Sequence, residues 1–186
     1  GFMIQPQRSK YLQDYQGVHV DTVRTVTNFS PTLDFRYRFS RQHQLRIRYR
    51  GTTSQPSMSQ LLDITDDSNP LNISKGNPGL KPSFTNSLNL FYNFIQNHSR
   101  FINADLNMST TSNSISDMVT YDEVTGGRTT RPENINGNWN ISGGFLFSTS
   151  IDSTGTWYTN TDTRASFANN VGYLTLDRNT GVQKNR

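Results

Sequence analysis

The chain has 186 residues, with 18 Lys and Arg against 14 Asp and Glu, a formal net charge of +4 and no cysteine. Only 32% of the residues are hydrophobic, whereas 20 Ser, 22 Thr and 20 Asn make up a third of the chain. The lack of cysteine excludes a disulfide scaffold, a thiolate metal site and a cysteine nucleophile. No apolar run reaches the roughly 18–20 residues of a membrane-spanning helix, and the 21 aromatic residues argue against disorder.

The chain opens with Gly1-Phe2-Met3 and has no basic and apolar signal region, so we expect a fragment of a longer protein. Residues 1–30 are predicted to form a leading loop or strand. The whole of 1–186 is treated as one fragment of a single domain.

From residue 31 onwards, apolar and polar residues alternate with the period of two that is typical of β-strands. The pattern predicts three long hairpins within residues 31–175, each closed by a short polar turn. The paired strands are 32–40 with 43–53, 84–96 with 99–111, and 137–151 with 155–167. Residues 176–186 are predicted to be a loop or tail.

The connections between the hairpins are much longer than the turns within them. They run over residues 52–82 and 112–136 and are rich in Gly, Pro, Asn and Ser. Loops of more than about 12–15 residues are uncommon in compact soluble domains, but tight turns at one end and long loops at the other are typical of outer-membrane β-barrels. A soluble antiparallel sandwich also has alternating strands, so the period alone leaves both folds open.

The first hairpin has one apolar and one basic face. In a membrane barrel the apolar face, which begins with Leu33, Phe35, Leu45 and Ile47, contacts lipid and the other lines the lumen. The predicted lumen residues are Arg36, Arg38, Arg46, Arg48 and Arg50. Such cations attract anionic solutes or carboxylates; the alternative is a solvated arginine ladder paired with loop acids.

Other chemistries find little support in the sequence. Rings and guanidinium groups fall on opposite strand faces, so the chain offers no stacking platform for nucleic acid despite a pI near 9.5. The acidic stretch 63–69 lacks the Gly and Glu of a calcium loop, and His19, His43 and His98 lie far apart. Because no nucleophile elbow, P-loop or dinucleotide motif is present, we expect no enzymatic activity and no cofactor.

A more specific signal lies in the first long connection. Residues 49–61, 67–73 and 76–82 resemble, in order and spacing, a signature of the β-barrel part of TonB-dependent outer-membrane receptors of Bacteroidetes-type bacteria. The resemblance covers roughly residues 20–175, and Gly79 and Ser83 depart from the acidic residues usual at those positions. The matching residues are Gln55, Pro56, Ser57, Asn69, Pro70, Gly76, Asn77, Pro78, Leu80, Lys81 and Pro82.

These motif residues are interpreted as architectural, because Asn, Pro and Gly at such positions form turns that steer a loop back into the barrel wall. The resemblance implies an all-β fold of about six antiparallel up-and-down strands, a partial outer-membrane β-barrel with long loops. It also implies a place in the bacterial cell outer membrane, in the wall and extracellular loops of a receptor for nutrient uptake.

The resemblance further implies partners: membrane lipid, a plug domain and TonB-type energy coupling in the full-length parent, and a small nutrient ligand. No plug domain or Ton box is recognisable in this chain. Six strands are far fewer than the 22 of a plugged transporter, so the isolated fragment is expected to self-associate and hide its apolar face. The alternative function is that of a soluble secreted or periplasmic β-sandwich that binds glycans.

Overall fold

A computed structural model describes residues 1–15, 18–96, 100–122, 125–176 and 179–185. Most of this part of the chain is in β-strands, as the alternation predicts. The elements in chain order are β1 (Phe2–Tyr15), β2 (Val18–Arg38), β3 (His43–Ser54), α1 (Met58–Leu61), β4 (Thr65–Asp66), β5 (Asn72–Lys75), β6 (Ser83–Gln96), β7 (Arg100–Ser112), β8 (Ser114–Tyr121), β9 (Arg128–Ile135), β10 (Asn138–Ser150), β11 (Tyr158–Leu176) and β12 (Asn179–Asn185).

The main sheet has eight strands in the order β1-β2-β3-β6-β7-β10-β11-β12. Every neighbouring pair is antiparallel, which is an up-and-down meander. The sheet is open, with β1 and β12 at its edges. A smaller sheet, β4-β5-β9-β8, is built from the two long connections, and its β5 and β9 pair in parallel.

The strand register places the alternating residues of neighbouring strands side by side. Phe35 lies opposite Ile47, Ile47 opposite Leu90, and Leu90 opposite Leu106. Directly opposed residues share a face of the sheet, so one face is largely hydrophobic from the second half of β2 across β3, β6, β7 and β10. We call this the apolar face; it comprises Leu33, Phe35, Tyr37, Leu45, Ile47, Tyr49, Leu88, Leu90, Tyr92, Phe94, Ile102, Ala104, Leu106, Met108, Ile141, Phe145, Phe147 and Phe167.

The opposite face, here called the polar face, carries mainly charged, amide and hydroxyl side chains. Phe91 and Leu146 lie among them, and Ile95 and Phe101 lie on the same face at the end of β6 and the start of β7. Besides Ile95 and Phe101, the residues of the polar face are Asp34, Arg36, Arg38, Gln44, Arg46, Arg48, Arg50, Ser87, Asn89, Phe91, Asn93, Asn103, Asp105, Asn107, Ser109, Ser142, Gly144, Leu146, Asp162, Arg164 and Ser166. The five arginines predicted to share a face do so.

No second sheet covers the apolar face in the described part of the chain. Leu33 remains 54% exposed and Phe167 67% exposed. The buried hydrophobic residues that the structure describes are few, and all four lie near the long connections: Leu61, Leu80, Ile135 and Val171. A sandwich would bury such a face between its sheets, so the soluble β-sandwich alternative is wrong as a description of the fold.

The three predicted hairpins are confirmed as β2–β3, β6–β7 and β10–β11, with strand ends within about three residues except where β2 begins earlier and β11 runs further. The ends are more regular than predicted. Where a leading loop or strand was expected, Phe2–Tyr15 pairs with Val18–Pro31, and Asn179–Asn185 forms β12 where a loop or tail was predicted, which corrects that prediction. These additions give the main sheet eight strands where about six were predicted.

The only helix in the described residues is a single turn, α1. Its start is fixed by a capping box, in which the Ser57 hydroxyl accepts from the Gln60 amide and the Gln60 side chain accepts from the Ser57 amide. No described helix is long and apolar enough to cross a membrane.

Candidate functional site

The most concentrated charge on the polar face surrounds Asp34. Arg46 donates two hydrogen bonds to its carboxylate, from Nη2 at 2.6 Å and from Nε at 3.1 Å. Arg36 approaches the same two oxygens at 3.3 and 3.5 Å, and the Nε of Arg48 lies 3.9 Å away. One carboxylate therefore holds three guanidinium groups from two strands, with the bidentate geometry that favours Arg over Lys.

This cluster keeps a net positive charge. The side chains of Arg38 and Arg50 make no hydrogen bond or ion pair with any residue that the structure describes. The two residues lie opposite Gln44 and Thr32 respectively. In the paired parts of β2 and β3, residues 32–38 and 44–50, five guanidinium groups thus lie on the same face as a single carboxylate, that of Asp34. Because Arg36 is 69% exposed and Arg46 34%, the cluster can attract an anionic group from solution.

The sequence predicted the five arginines, but it did not single out three other residues of the same face. Phe91 is 42% exposed among polar neighbours. Asp105 lies directly opposite Phe91, and Arg164 lies opposite Gly144, which itself lies opposite Asp105. The alternation within β6, β7, β10 and β11 is enough to place Phe91, Asp105 and Arg164 on the same face. Only the register of the paired strands shows that they lie in one row across the sheet.

Two adjoining depressions mark this row. One, of about 300 Å³, lies between Arg48 and Asp105; the other, of about 380 Å³, lies between Asp105 and Arg164. A Cβ at Gly144 would lie 2.7 Å from the Oδ1 atom of Asp105, so a side chain there would displace this carboxylate. The missing side chain therefore lets the Asp105 carboxylate lie over β10.

The second candidate site is the ordered end of the long connections, where the motif residues lie. Asn77 is 4% exposed and links three segments of the chain, because its backbone amide also donates to the Gln60 carbonyl at 2.6 Å. Its Nδ2 donates to the carbonyl of Pro132 at 2.9 Å, and its Oδ1 accepts from the Gly79 amide at 2.9 Å and from Arg131 Nη2 at 3.0 Å. A buried amide with donor and acceptor both paired fixes the relative position of the segments that it joins.

The neighbours of Asn77 reinforce the same junction. A Cβ on Gly76 would lie 1.7 Å from the carbonyl oxygen of Leu62, so the two backbones touch. Leu80 is 4% exposed. The Lys81 amide donates to Asn134 Oδ1 at 2.7 Å, and Asn134 Nδ2 returns a bond to the Lys81 carbonyl at 3.0 Å. Pro78 remains exposed, and Pro82 precedes the start of β6.

The earlier motif residues lie at the other end of this connection. Gln55 Nε2 donates to Asn28 Oδ1 at 2.9 Å, and Asn28 donates in turn to Gln7 Oε1 at 3.0 Å, which ties the β1–β2 hairpin to the loop. Pro56 is buried beside them. Asn69 forms a local turn through its Oδ1, which accepts from the Leu71 amide at 3.1 Å, with Pro70 between them.

The fold does not bring together the described residues that were considered for metal binding. Asp63 pairs with Lys75 at 3.5 Å, and Asp66 accepts from the Ser68 amide and hydroxyl. His43 Nδ1 lies 2.8 Å from the Tyr92 hydroxyl; the side chain of His19 and the whole of His98 lie outside the described residues. The described part of the chain contains no group of three or more His, Asp or Glu that could hold a metal ion.

A family model described as "Outer membrane protein beta-barrel family" matches residues 11–185. A solved structure, the copper transporter OprC, is similar over 89% of this chain with a TM-score of 0.54 and 11% identical residues, and this chain spans 26% of that protein. At this identity the likeness shows the fold alone. No curated protein matches the sequence.

Meander topology, the two-faced sheet and the family match define one class of protein, an outer-membrane β-barrel. The chain belongs to the outer membrane protein beta-barrel family, and its place is the bacterial outer membrane. The alternative of a secreted or periplasmic glycan-binding module is overturned by this membership.

Proposed function

We propose that the chain forms part of the barrel wall and extracellular loops of a TonB-dependent receptor that takes up a scarce small nutrient. The observation that carries the proposal is the two-faced sheet, in which the apolar face is opposed by a polar face with five arginines. A water-filled or plugged transport path needs such a polar interior wall, and lipid needs such an exterior.

In this proposal the polar face lines the lumen of the complete barrel. The arginines around Asp34 then pair with carboxylates of a plug domain or with an anionic solute as it passes. Arg38, Arg48 and Arg50 are the arginines best suited to this role, because Arg36 and Arg46 already bond to Asp34. Binding and passage of a solute require no catalytic group.

The motif residues within 55–82 are the basis for proposing a receptor of the Bacteroidetes type, and their contacts indicate what the motif does. Through Asn77, Gly76 and Asn134, the two long connections are held together as one ordered unit. Loops that are ordered before a ligand arrives lose less conformational entropy on binding it. We therefore assign the motif an architectural role in presenting the extracellular capture surface.

The copper transporter that this chain resembles in fold is one precedent for transport by this architecture, and the chain spans 26% of that protein. A plug domain and energy coupling through TonB are parts of the proposal that concern the full-length parent protein.

The test uses the full-length parent in its own membrane. We expect it in the outer-membrane fraction, with an electrophoretic mobility that changes on heating, and we expect its deletion to slow growth on at least one limiting nutrient. A protonophore should abolish uptake of that nutrient, because the energy comes from the inner membrane. A soluble parent, or uptake that is indifferent to the protonophore, would contradict the proposal.

A further inference from the structure

An aromatic ring lies between opposite charges on the polar face. Arg46 on β3, Phe91 on β6 and Asp105 on β7 are opposed in register, and Arg48 lies two residues further along β3. Neighbouring strands are about 4.8 Å apart, so the backbones of β3 and β7 are about 10 Å apart with Phe91 between them. The depression of about 300 Å³ occupies this gap, and its lining includes Arg46, Arg48, Asn89, Phe91, Asp105 and Asn107.

Of the charges that line the gap, Arg46 is bonded to Asp34, whereas Arg48 and Asp105 are incompletely paired. Arg48 approaches Asp34 only at 3.9 Å, beyond hydrogen-bond distance, because Arg36 and Arg46 occupy that carboxylate. Asp105 accepts one hydrogen bond, from Asn107 Nδ2 at 3.0 Å, and has no cation within 4 Å in the described residues. One cation and one carboxylate therefore face the same cavity without meeting each other.

We propose that this depression binds a zwitterionic solute, an amino acid or short peptide, and the proposal rests on the lumen placement of the polar face. The ligand's carboxylate bonds to Arg48, its ammonium to Asp105, and its apolar side chain lies on the Phe91 ring. Asn89 and Asn107 offer donors and acceptors for peptide groups. A simple anion fits less well, because Asp105 would repel it, and an apolar solute would leave both charges unpaired.

The test measures binding of glycyl-L-phenylalanine to the full-length parent in detergent by calorimetry. Two matched probes each lack one charge: the N-acetylated dipeptide has no ammonium, and the dipeptide amide has no carboxylate. We expect each loss to raise Kd about tenfold or more, the effect of one charge-assisted hydrogen bond. Equal affinity for all three probes, or no binding of the dipeptide, would overturn the site.

Two variants test which residue binds the carboxylate of the ligand and which binds its ammonium group. Arg48→Gln should remove the preference for the dipeptide over its amide, and Asp105→Asn should remove the preference over the N-acetylated form. Asp162→Asn, on the same face but paired with Arg164 outside the depression, should keep both preferences. Unchanged preferences in the first two variants would refute the assignment.

Failure of the site and failure of the proposed function are distinguishable. A parent that inserts into the outer membrane and changes mobility on heating, but does not discriminate the probes, refutes the zwitterion site alone. A soluble parent refutes both. A plug segment that fills the depression would appear as absence of dipeptide binding, which also overturns the site.

Discussion

At residue 76 the backbone leaves no room for a side chain. We expect Gly76→Ala to separate the segment around Leu62 from the turn at Asn77, because the new Cβ would lie 1.7 Å from a carbonyl oxygen. Forcing extra atoms into packed structure typically costs about 1–3 kcal/mol. Limited proteolysis should show faster cleavage within residues 55–82 of the variant.

The control for this substitution is Gly172→Ala in β11, where a Cβ would meet only the Ser116 hydroxyl at 3.8 Å. This variant should be cleaved at the wild-type rate. A Gly76→Ala protein that resists protease as well as the wild type would show that the connection tolerates rearrangement there.

Asp152 in the turn between β10 and β11 has a lowered pKa of about 2. The main cause is the hydrogen bond from the Thr154 hydroxyl, and the backbone amides of Trp157 and Thr156 add to it. Because its pKa is lowered, the ionised Asp152 carboxylate stabilises the turn in full at pH values above the ordinary pKa of 3.8. This contribution is lost as the pH falls through about 2.

The carboxyl carbon chemical shift of Asp152 measures this directly. We expect a midpoint near 2 in the wild type, and a higher midpoint in Thr154→Val, in which the hydroxyl is lost. Ser153→Ala should leave the midpoint unchanged, because its side chain makes no bond to Asp152. An ordinary midpoint in the wild type would contradict the turn geometry.

At the scale of the strands, Phe91 and Phe145 form a matched pair on opposite faces. They are 42% and 45% exposed, and both lie within long strands of the main sheet. An arginine on a lipid face near the bilayer centre costs about 2–4 kcal/mol, whereas the lumen side tolerates it. We expect Phe145→Arg to reduce assembly of the parent in the outer membrane and Phe91→Arg to leave it near the wild-type level.

The two variants are compared by measuring how much heat-modifiable parent protein is recovered from outer membranes in each case. Equal recovery of the two variants would remove the distinction between the faces. A loss confined to Phe91→Arg would reverse their assignment.

The main hairpins could be predicted because each strand alternates, and alternation alone fixes which residues share a face. The grouping of Arg36, Arg46 and Arg48 on Asp34 could not be predicted, because it depends on the register of β2 against β3 and on side-chain conformations. The row of Phe91, Asp105 and Gly144 was missed for the same reason, since its members come from three strands.

Other elements were missed because the sequence lacks a local signal for them. β1 begins with the unalternating run Phe2-Met3-Ile4 and contains Pro6, and β12 is largely polar. β5 and β9 are short, and they pair in parallel although about 55 residues separate them in the chain. Such pairing is stabilised by tertiary bonds like those of Asn77, which no sequence window contains.

At the scale of the whole molecule, the eight-stranded sheet is open and one face is hydrophobic. When this chain is expressed alone, the other strands of the barrel and the membrane lipid are both absent. We expect it to self-associate through the apolar face or the edges of β1 and β12, because exposed edges and large apolar patches both favour association.

Sedimentation of the isolated chain at several concentrations, without detergent, tests this expectation. Species larger than a monomer should dominate, and a mild detergent should disperse them. A stable monomer of 21.1 kDa in plain buffer would show that the chain hides its apolar face by itself.

The assignment of the two faces is the central claim, and it can be measured in the full-length parent reconstituted in lipid vesicles. Spin labels are attached to the single-cysteine variants Phe35→Cys, Ile47→Cys, Arg36→Cys and Arg46→Cys. The accessibility of each label is then measured to a lipid-soluble and to a water-soluble relaxing agent. Labels at Phe35 and Ile47 should meet the lipid-soluble agent, and labels at Arg36 and Arg46 the water-soluble one. Labels at Phe35 and Ile47 shielded from lipid, in a parent that does not insert, would contradict the outer-membrane wall.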